Sequence, residues 1–352
     1  MNILQLKILQ LGLVVTLVAT SGTAPAQPAL YVGEAVVSVE RADNGVDRRE
    51  PILDALNQVL IRLTGRVGED VVAALGLDAD QAASLALGRQ FIRVEVPAAD
   101  DAMTEQRRLR VDFHSNSVNR LIDEAGLARW GSERPELLLW MVVDGERGAQ
   151  YLEDDELLQH AIEEAAFEYG IELTRPILDA SDRVEITPAD VRGGFTGVAT
   201  AAMRRYGADG VIMLDLRPNQ GFWTGRWAWR IGDQENAFMR SGAGRGEVVE
   251  LGLGRIAEAL AARFAVRPSS GTERRLIVSG IETSAHYNEV KRFLESLTGI
   301  ESVRVSSASD EGLTFSIRAS TEGLRQRIAL TGPLEFVRHD LATDNLLYRF
   351  SL

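Results

Sequence analysis

The stretch Leu137-Leu138-Leu139-Trp140-Met141-Val142-Val143 governs how the rest of the chain is read. Consecutive side chains of an extended strand point to opposite faces, so an unbroken apolar run needs cover on both. That condition points to a strand inside an α/β sheet with helices above and below. Reading outward, Asp154 or Asp155 can cap a helix carrying Leu158, Ile162 and Ala165, and Gly170 can stop it. A strand over 171–175 follows, and Thr187-Pro188 opens a helical stretch that is interrupted near Gly193-Gly194 and resumes to Tyr206. Gly207-Ala208-Asp209-Gly210 turns into a second buried strand, Val211-Ile212-Met213-Leu214. Two alternating strands, about 221–231 and 237–241, lead to an amphipathic helix over 249–264. The middle segment, residues 133–267, therefore reads β-α-β-α-β-β-β-α, a mixed-sheet α/β domain.

The flanking segments carry different patterns. Residues 27–132 read as an α+β domain that opens with an extended stretch, 30–39. Pro51 then starts a helix with Ile52, Leu56, Val59, Leu60 and Leu63 on one stripe, ended by Gly65. A second helical stretch is expected over 71–87. Strands over 91–96 and 108–113 alternate apolar with charged residues, as a sheet with one wet face should. A short helix over 118–127, begun by Ser115-Asn116-Ser117 as its cap, closes the unit. After the linker Arg267-Pro268-Ser269-Ser270-Gly271-Thr272, residues 268–352 read β-α-β-β-α-β, the ferredoxin-like, split-βαβ order. The expected fold class is thus a multi-module α+β and α/β protein.

The first 26 residues have the form of a secretory signal peptide: Lys7, an apolar stretch from Ile8, then Ala24-Pro25-Ala26. Cleavage is expected before Gln27, and the mature chain in the periplasm. The apolar run is shorter than the roughly 20 residues a bilayer span needs, and nothing later in the chain is long enough. The chain has no cysteine, which excludes disulfides, thiol nucleophiles and Cys-ligated metal. Its formal charge of −13 is the wrong sign for a nucleic-acid partner.

Candidate chemistry is sparse. His114, His160, His286 and His339 are scattered singly, and the His-Glu-x-x-His spacing of a zinc site does not occur. Neither Gly-x-Ser-x-Gly nor Ser-x-x-Lys is present. Glu153-Asp154-Asp155-Glu156 sits at a helix start, where the dipole favours negative charge. The glycine-rich stretches 193–197 and 242–246 lack the register of a phosphate loop and read as turns. Asp215, ending a buried strand, is the most suggestive single acid, because functional groups gather at carboxyl ends of α/β strands.

The least ordinary stretch is Phe222-Trp223-Thr224-Gly225-Arg226-Trp227-Ala228-Trp229-Arg230-Ile231. In a strand Trp223, Trp227 and Trp229 share one face, and Arg226 and Arg230 share the other. Two readings follow. The tryptophans pack under the helix over 249–264 while the arginines face water, or the five residues form a contact surface for a partner.

The signal peptide, the opening strand, Leu60-Ile61-Arg62-Leu63-Thr64-Gly65 and the strand after Trp130 together resemble a proteobacterial envelope family, domain of unknown function 2066 (DUF2066). That resemblance implies no activity and no site residues. By topology and the turn Tyr206-Gly207-Ala208-Asp209-Gly210-Val211, the middle segment resembles the amino-terminal domain of the Tol-system translocation protein and the outer-membrane activators of peptidoglycan synthases. This second resemblance implies docking modules. The expectation is a non-catalytic adaptor that binds another envelope protein, with Trp223, Arg226, Trp227, Trp229 and Arg230 as binding residues. No catalytic residue, metal or cofactor is assigned. The rivals are a peptidoglycan hydrolase using dispersed carboxylates, Asp215 first, and a non-catalytic glycan-binding module.

Overall fold

The computed structural model describes residues 30–37, 49–97, 103–145, 148–153, 155–268, 271–320, 323–340 and 343–351. The expected signal peptide lies outside the described residues. Among the described residues, no helix is long and apolar enough to cross a membrane.

The first segment builds a three-stranded antiparallel sheet. Strand β1 (Val32–Val36) is followed by helix α1 (Arg49–Thr64), two short helices α2 (Val71–Ala74) and α3 (Ala79–Ser84), strands β2 (Ala86–Pro97) and β3 (Met103–Phe113), and helix α4 (Ser115–Glu124). The strand order is β1-β3-β2. The single helix expected over 71–87 is two helices and the start of a strand. Gly76, in a left-handed conformation with φ of 64°, ends the first turn, and Asp78 caps a new helix with a capping box to Gln81. Helix α4 begins directly after His114, without the side-chain cap expected from Ser115-Asn116-Ser117.

The middle segment runs β4 (Glu136–Gly145), β5 (Gly148–Tyr151), α5 (Glu156–Tyr169), β6 (Glu172–Thr174), α6 (Ala180–Glu185), α7 (Pro188–Gly193), a 3₁₀ turn (Thr196–Ala199), α8 (Thr200–Tyr206), β7 (Gly210–Asn219), β8 (Phe222–Ile231), β9 (Gln234–Gly242) and α9 (Arg245–Phe264). Strand order is β5-β4-β7-β8-β9, with β6 also pairing to β4. The apolar run is covered on both sides. Leu137, Leu139 and Met141 enter the core under α5 and α9, while Leu138, Trp140 and Val142 join Ile186, Val191 and Ala202 on the other face. Asp155 and the Thr187–Asp190 capping box start α5 and α7 as expected. Strand β5, with 4 residues, and helix α6, with 6, are too short for a period to show in the sequence.

The first two segments share one hydrophobic core. Leu56, Leu60 and Leu63 of α1 belong to the same buried cluster as Ile162 of α5, Trp227 of β8 and Leu253 and Leu260 of α9. Two buried arginines fasten that junction. Arg62 donates from Nη1 to the Val32 carbonyl at 2.8 Å, and its guanidinium lies 4.4 Å from the Phe167 ring centre. Arg134 donates to the carbonyls of Gly131 (3.1 Å), Gly170 (2.8 Å), Arg62 (2.9 Å) and Trp130 (3.2 Å), and stacks on Trp130 at 3.8 Å. Burial pulls both guanidiniums down, Arg62 to about 10 and Arg134 to about 9.

At the amino ends of β4, β6 and β7, three acids crowd together: Glu136 pairs in register with Glu172, and Asp209 accepts from the Glu136 amide at 3.0 Å. Burial pushes the Asp209 carboxyl up to about 6, despite that hydrogen bond. A raised folded-state value adds stability that is complete below the unfolded value, about 4, and is lost as pH rises through about 6. Asp209→Asn keeps the acceptor and never ionises. It is therefore expected to melt higher than the parent at pH 7 and to match it near pH 4, in thermal scans at both values. A variant that melts lower at pH 7 would reject this account.

The third segment has its own core, centred on Leu276, Val290, Leu294, Phe315 and Tyr348. It comprises β10 (Thr272–Ser279), α10 (Ser284–Ser296), β11 (Ile300–Ser309), β12 (Gly312–Ala319), α11 (Leu324–Thr331), β13 (Leu334–Asp340) and β14 (Asn345–Phe350), in the order β11-β12-β10-β14-β13. The expected split βαβ is β10-α10-β11 with β12 between its strands. The second half differs from the expected order. An additional strand, β13, takes the edge, and the chain hairpins back so that β14 runs parallel to β10. Glu133 ties this module to the others by accepting from the Thr298 amide.

Candidate functional site

The carboxyl ends of the parallel strands β4 and β7 lie side by side, with Val142 opposite Asp215. Strand β8 returns antiparallel and sets Arg226 opposite Asp215. Strand alternation then places Asp144, Asp215, Arg217 and Arg226 on the face covered by α6 to α8. Helix α7 adds Arg192 from its last turn. Arg217 grips Asp215 Oδ2 from Nε at 2.7 Å and from Nη2 at 2.6 Å. Arg192 lies on the other side, its Nε 3.6 Å from Oδ1, and its far end pairs with Asp144. The result is a chain of alternating charge, Asp144–Arg192–Asp215–Arg217, anchored on a carboxylate with no solvent exposure. Its hydrogen bond to Asp215 holds the Arg217 guanidinium above its ordinary value.

The arginine face of β8 has a structural duty that its sequence does not announce. Arg226 Nη1 donates to the main-chain carbonyl of Arg192 at 3.3 Å, at the end of α7. Arg230 Nη2 donates to the Thr196 carbonyl at 3.2 Å and to Thr200 Oγ1 at 3.0 Å. Arg226 thus answers a carbonyl in the last turn of α7, and Arg230 braces the 3₁₀ turn and the start of α8. Gly194 makes the approach possible: its φ of 68° turns the chain, and a Cβ there would sit 2.9 Å from the Ala228 Cβ.

The tryptophan face is core in its inner part. Trp227 is 0% and Trp229 2% exposed, so neither can touch a partner while the domain is folded. Trp227 lies on α9 where that helix has Gly252, whose missing side chain leaves the room: a Cβ there would be 2.1 Å from the indole. The contact surface expected from Trp223, Arg226, Trp227, Trp229 and Arg230 is therefore corrected at Trp227 and Trp229, which the helix covers. Trp223 is half-buried beneath the Arg245 guanidinium at 5.4 Å. Arg226 stays exposed and Arg230 half-buried.

What surrounds Arg226 is a surface that no motif advertised. Met239, opposite Arg226 on β9, is 62% exposed, and Phe195, in the loop after α7, is 60% exposed. Phe222 stands exposed on the same sheet face as Arg226, at the hairpin end. The other residues singled out in the sequence have local roles. Asp155 caps α5 at the Leu158 amide, His160 faces Glu164 along one helix, and Lys291 pairs with Glu295 at 3.7 Å. No group of three or more His, Asp or Glu side chains among the described residues could hold a metal ion.

Neither the curated proteins nor the solved structures compared with this chain include a match. Residues 24–131, which span β1 to α4, match an uncharacterised family, the domain of unknown function DUF8605.

Proposed function

We propose that this protein is a non-catalytic adaptor of the cell envelope, docking to another envelope protein through the sheet face around Arg226. The supporting observation is the grouping of exposed Phe195, Phe222 and Met239 about an exposed arginine. Aromatic, methionine and arginine side chains are enriched where proteins meet, and such apolar groups stay on a surface only at a cost in solubility. The periplasmic address rests on the form of residues 1–26, and kinship with DUF2066 and with the Tol-system and synthase-activator domains belongs to the same proposal.

The test is cross-linking in living cells with the mature chain tagged at its carboxyl end and adducts identified by mass spectrometry. One dominant envelope-protein adduct is expected, weakened by Arg226→Glu in a protein whose circular dichroism is unchanged. Equal adducts from parent and variant would move docking to another surface. The absence of any adduct under several cross-linkers would reject the adaptor reading.

The hydrolase reading would put Asp215 to work as an acid or base. Its enclosure between Arg192 and Arg217 describes an anchor instead. Asp215→Asn is expected to cost about 1–3 kcal/mol of stability, because it takes the carboxylate from Arg217 and one of two from Arg192, discounted since both guanidiniums reach solvent. Denaturant unfolding measures that loss. A variant of unchanged stability that no longer digests purified sacculi cleaved by the parent would restore the enzyme reading.

A further inference from the structure

We infer that β9 accepts an extended, acidic segment of the partner protein as an added strand, an inference that rests on the adaptor reading and gives it a binding mode. An unprotected sheet edge is a template for another chain, and folded proteins blunt such edges with short strands, bulges, proline or charge. Among the described residues, the other edges carry these devices. Strand β1 has 5 residues, β5 has 4 and β6 has 3. Strand β2 has a register shift at Ala86/Gly88 and ends in Pro97, β11 shifts twice and β13 once.

Strand β9 is neither short nor bulged, and it has no proline. Its 9 residues pair one-to-one with β8, from Trp223↔Gly242 to Ile231↔Gln234, without a break in register. It contains no proline and no lysine, and its acid, Glu235, is already held by Thr196 Oγ1 at 2.5 Å. Asn236, Ala237, Met239 and Ser241 stand exposed along it. The open edge and its exposed side chains are what β-strand addition uses: main-chain hydrogen bonds for affinity, alternate side chains for selectivity.

Charge selects the occupant. An added strand would lie beside Met239, with Arg226 one strand behind it and Arg240 on the opposite face of β9. Arg226 spends one bond on the Arg192 carbonyl, and Arg240 one on its neighbour's carbonyl, Met239, at 3.0 Å. Their remaining donors favour carboxylates on both faces of the incoming segment, at neighbouring rather than alternate positions, with small or β-branched apolar residues set against Ala237 and Met239.

The test selects displayed random peptides of about 12 residues on the full mature chain, then follows amide hydrogen exchange with the synthetic winner bound. Enriched sequences should carry Asp or Glu at neighbouring positions, one for each face, and slow exchange within residues 234–242. Arg226→Glu and, as a surface change that leaves the fold alone, Met239→Asp should each weaken binding at least about tenfold. Basic or proline-rich winners, protection elsewhere, or no winner at all would overturn the inference. So would protection of β9 that appears without peptide and grows with protein concentration, the mark of a second copy on the edge. An in-cell adduct mapped to another surface would overturn this strand addition and leave the adaptor reading standing, whereas no adduct removes both.

Discussion

Replacing Arg134 with methionine is expected to lower the stability of the first two segments by at least about 3 kcal/mol. The reasoning starts from geometry. The guanidinium is fully buried and its donors serve carbonyls from the 130–134 linker, the end of α5 and the end of α1. Methionine keeps the length and removes the cost of a buried charge, which works in its favour. It also strips the donors from several buried carbonyls at once, each worth about 1–3 kcal/mol when left unmade. The carbonyl losses dominate because they are several and the charge is one. Lysine should not rescue, since a compact ammonium cannot reproduce the planar fork or the stacking on Trp130. Urea unfolding read by tryptophan fluorescence measures the loss. Because the third module has its own core, its amides in β10 and β12 should keep their exchange protection when the rest opens. A midpoint shift worth less than about 1 kcal/mol would show that water or a rearranged linker takes over the carbonyls.

The second large effect is at Trp227. Truncation to alanine should cost about 3–5 kcal/mol, the range for an aromatic removed from a core that relaxes incompletely. The indole fills the notch over Gly252 and stacks at 6.1 Å on Phe238, so its removal opens a cavity between β8 and α9. Its Nε1 is buried without a hydrogen-bond partner, a penalty the parent already carries. Trp227→Phe removes that stranded donor along with part of the volume, and should cost far less than alanine. Thermal or urea unfolding of the pair checks both. Equal losses would mean that the six-membered ring matters no more than the cavity it leaves. The consequence for function is direct: a lost adduct in Trp227→Ala would report unfolding, and variants of the exposed residues, such as Arg226 and Met239, are the ones that speak for the contact surface.

Much of this architecture is local in origin and was readable as such. The unbroken run at 137–143 announced a doubly covered strand, and Thr187-Pro188, Asp155 and Gly170 marked helix ends because caps act on the backbone within a few residues. The alternation in 222–231 correctly separated a tryptophan face from an arginine face. It could not say which face would be covered, since periodicity names a side of a strand without naming its neighbour. Short elements such as β5 and α6 escaped because a pattern of period 2 or 3.6 needs more residues than they have. Arg62 gives no sign of its burial: it lies off the stripe of Ile52, Leu56, Val59, Leu60 and Leu63, where a charge on a helix is ordinarily solvated.

The long, strongly patterned elements, several helix ends and the sign of the net charge thus follow from the chain read by itself, because each depends on composition or on neighbours a few residues away. The tertiary structure alone decides that two segments share one core, that Arg62 and Arg134 are locked inside it, and that Trp227 and Trp229 are covered while Arg226 and Met239 are not. It also decides which sheet edge is left unguarded. Those outcomes depend on which helix meets which sheet across tens of residues or more, as when Gly252 makes room for Trp227 or Glu133 reaches Thr298. Burial is a property of the pair that packs, and a sequence lists its members without saying which will meet.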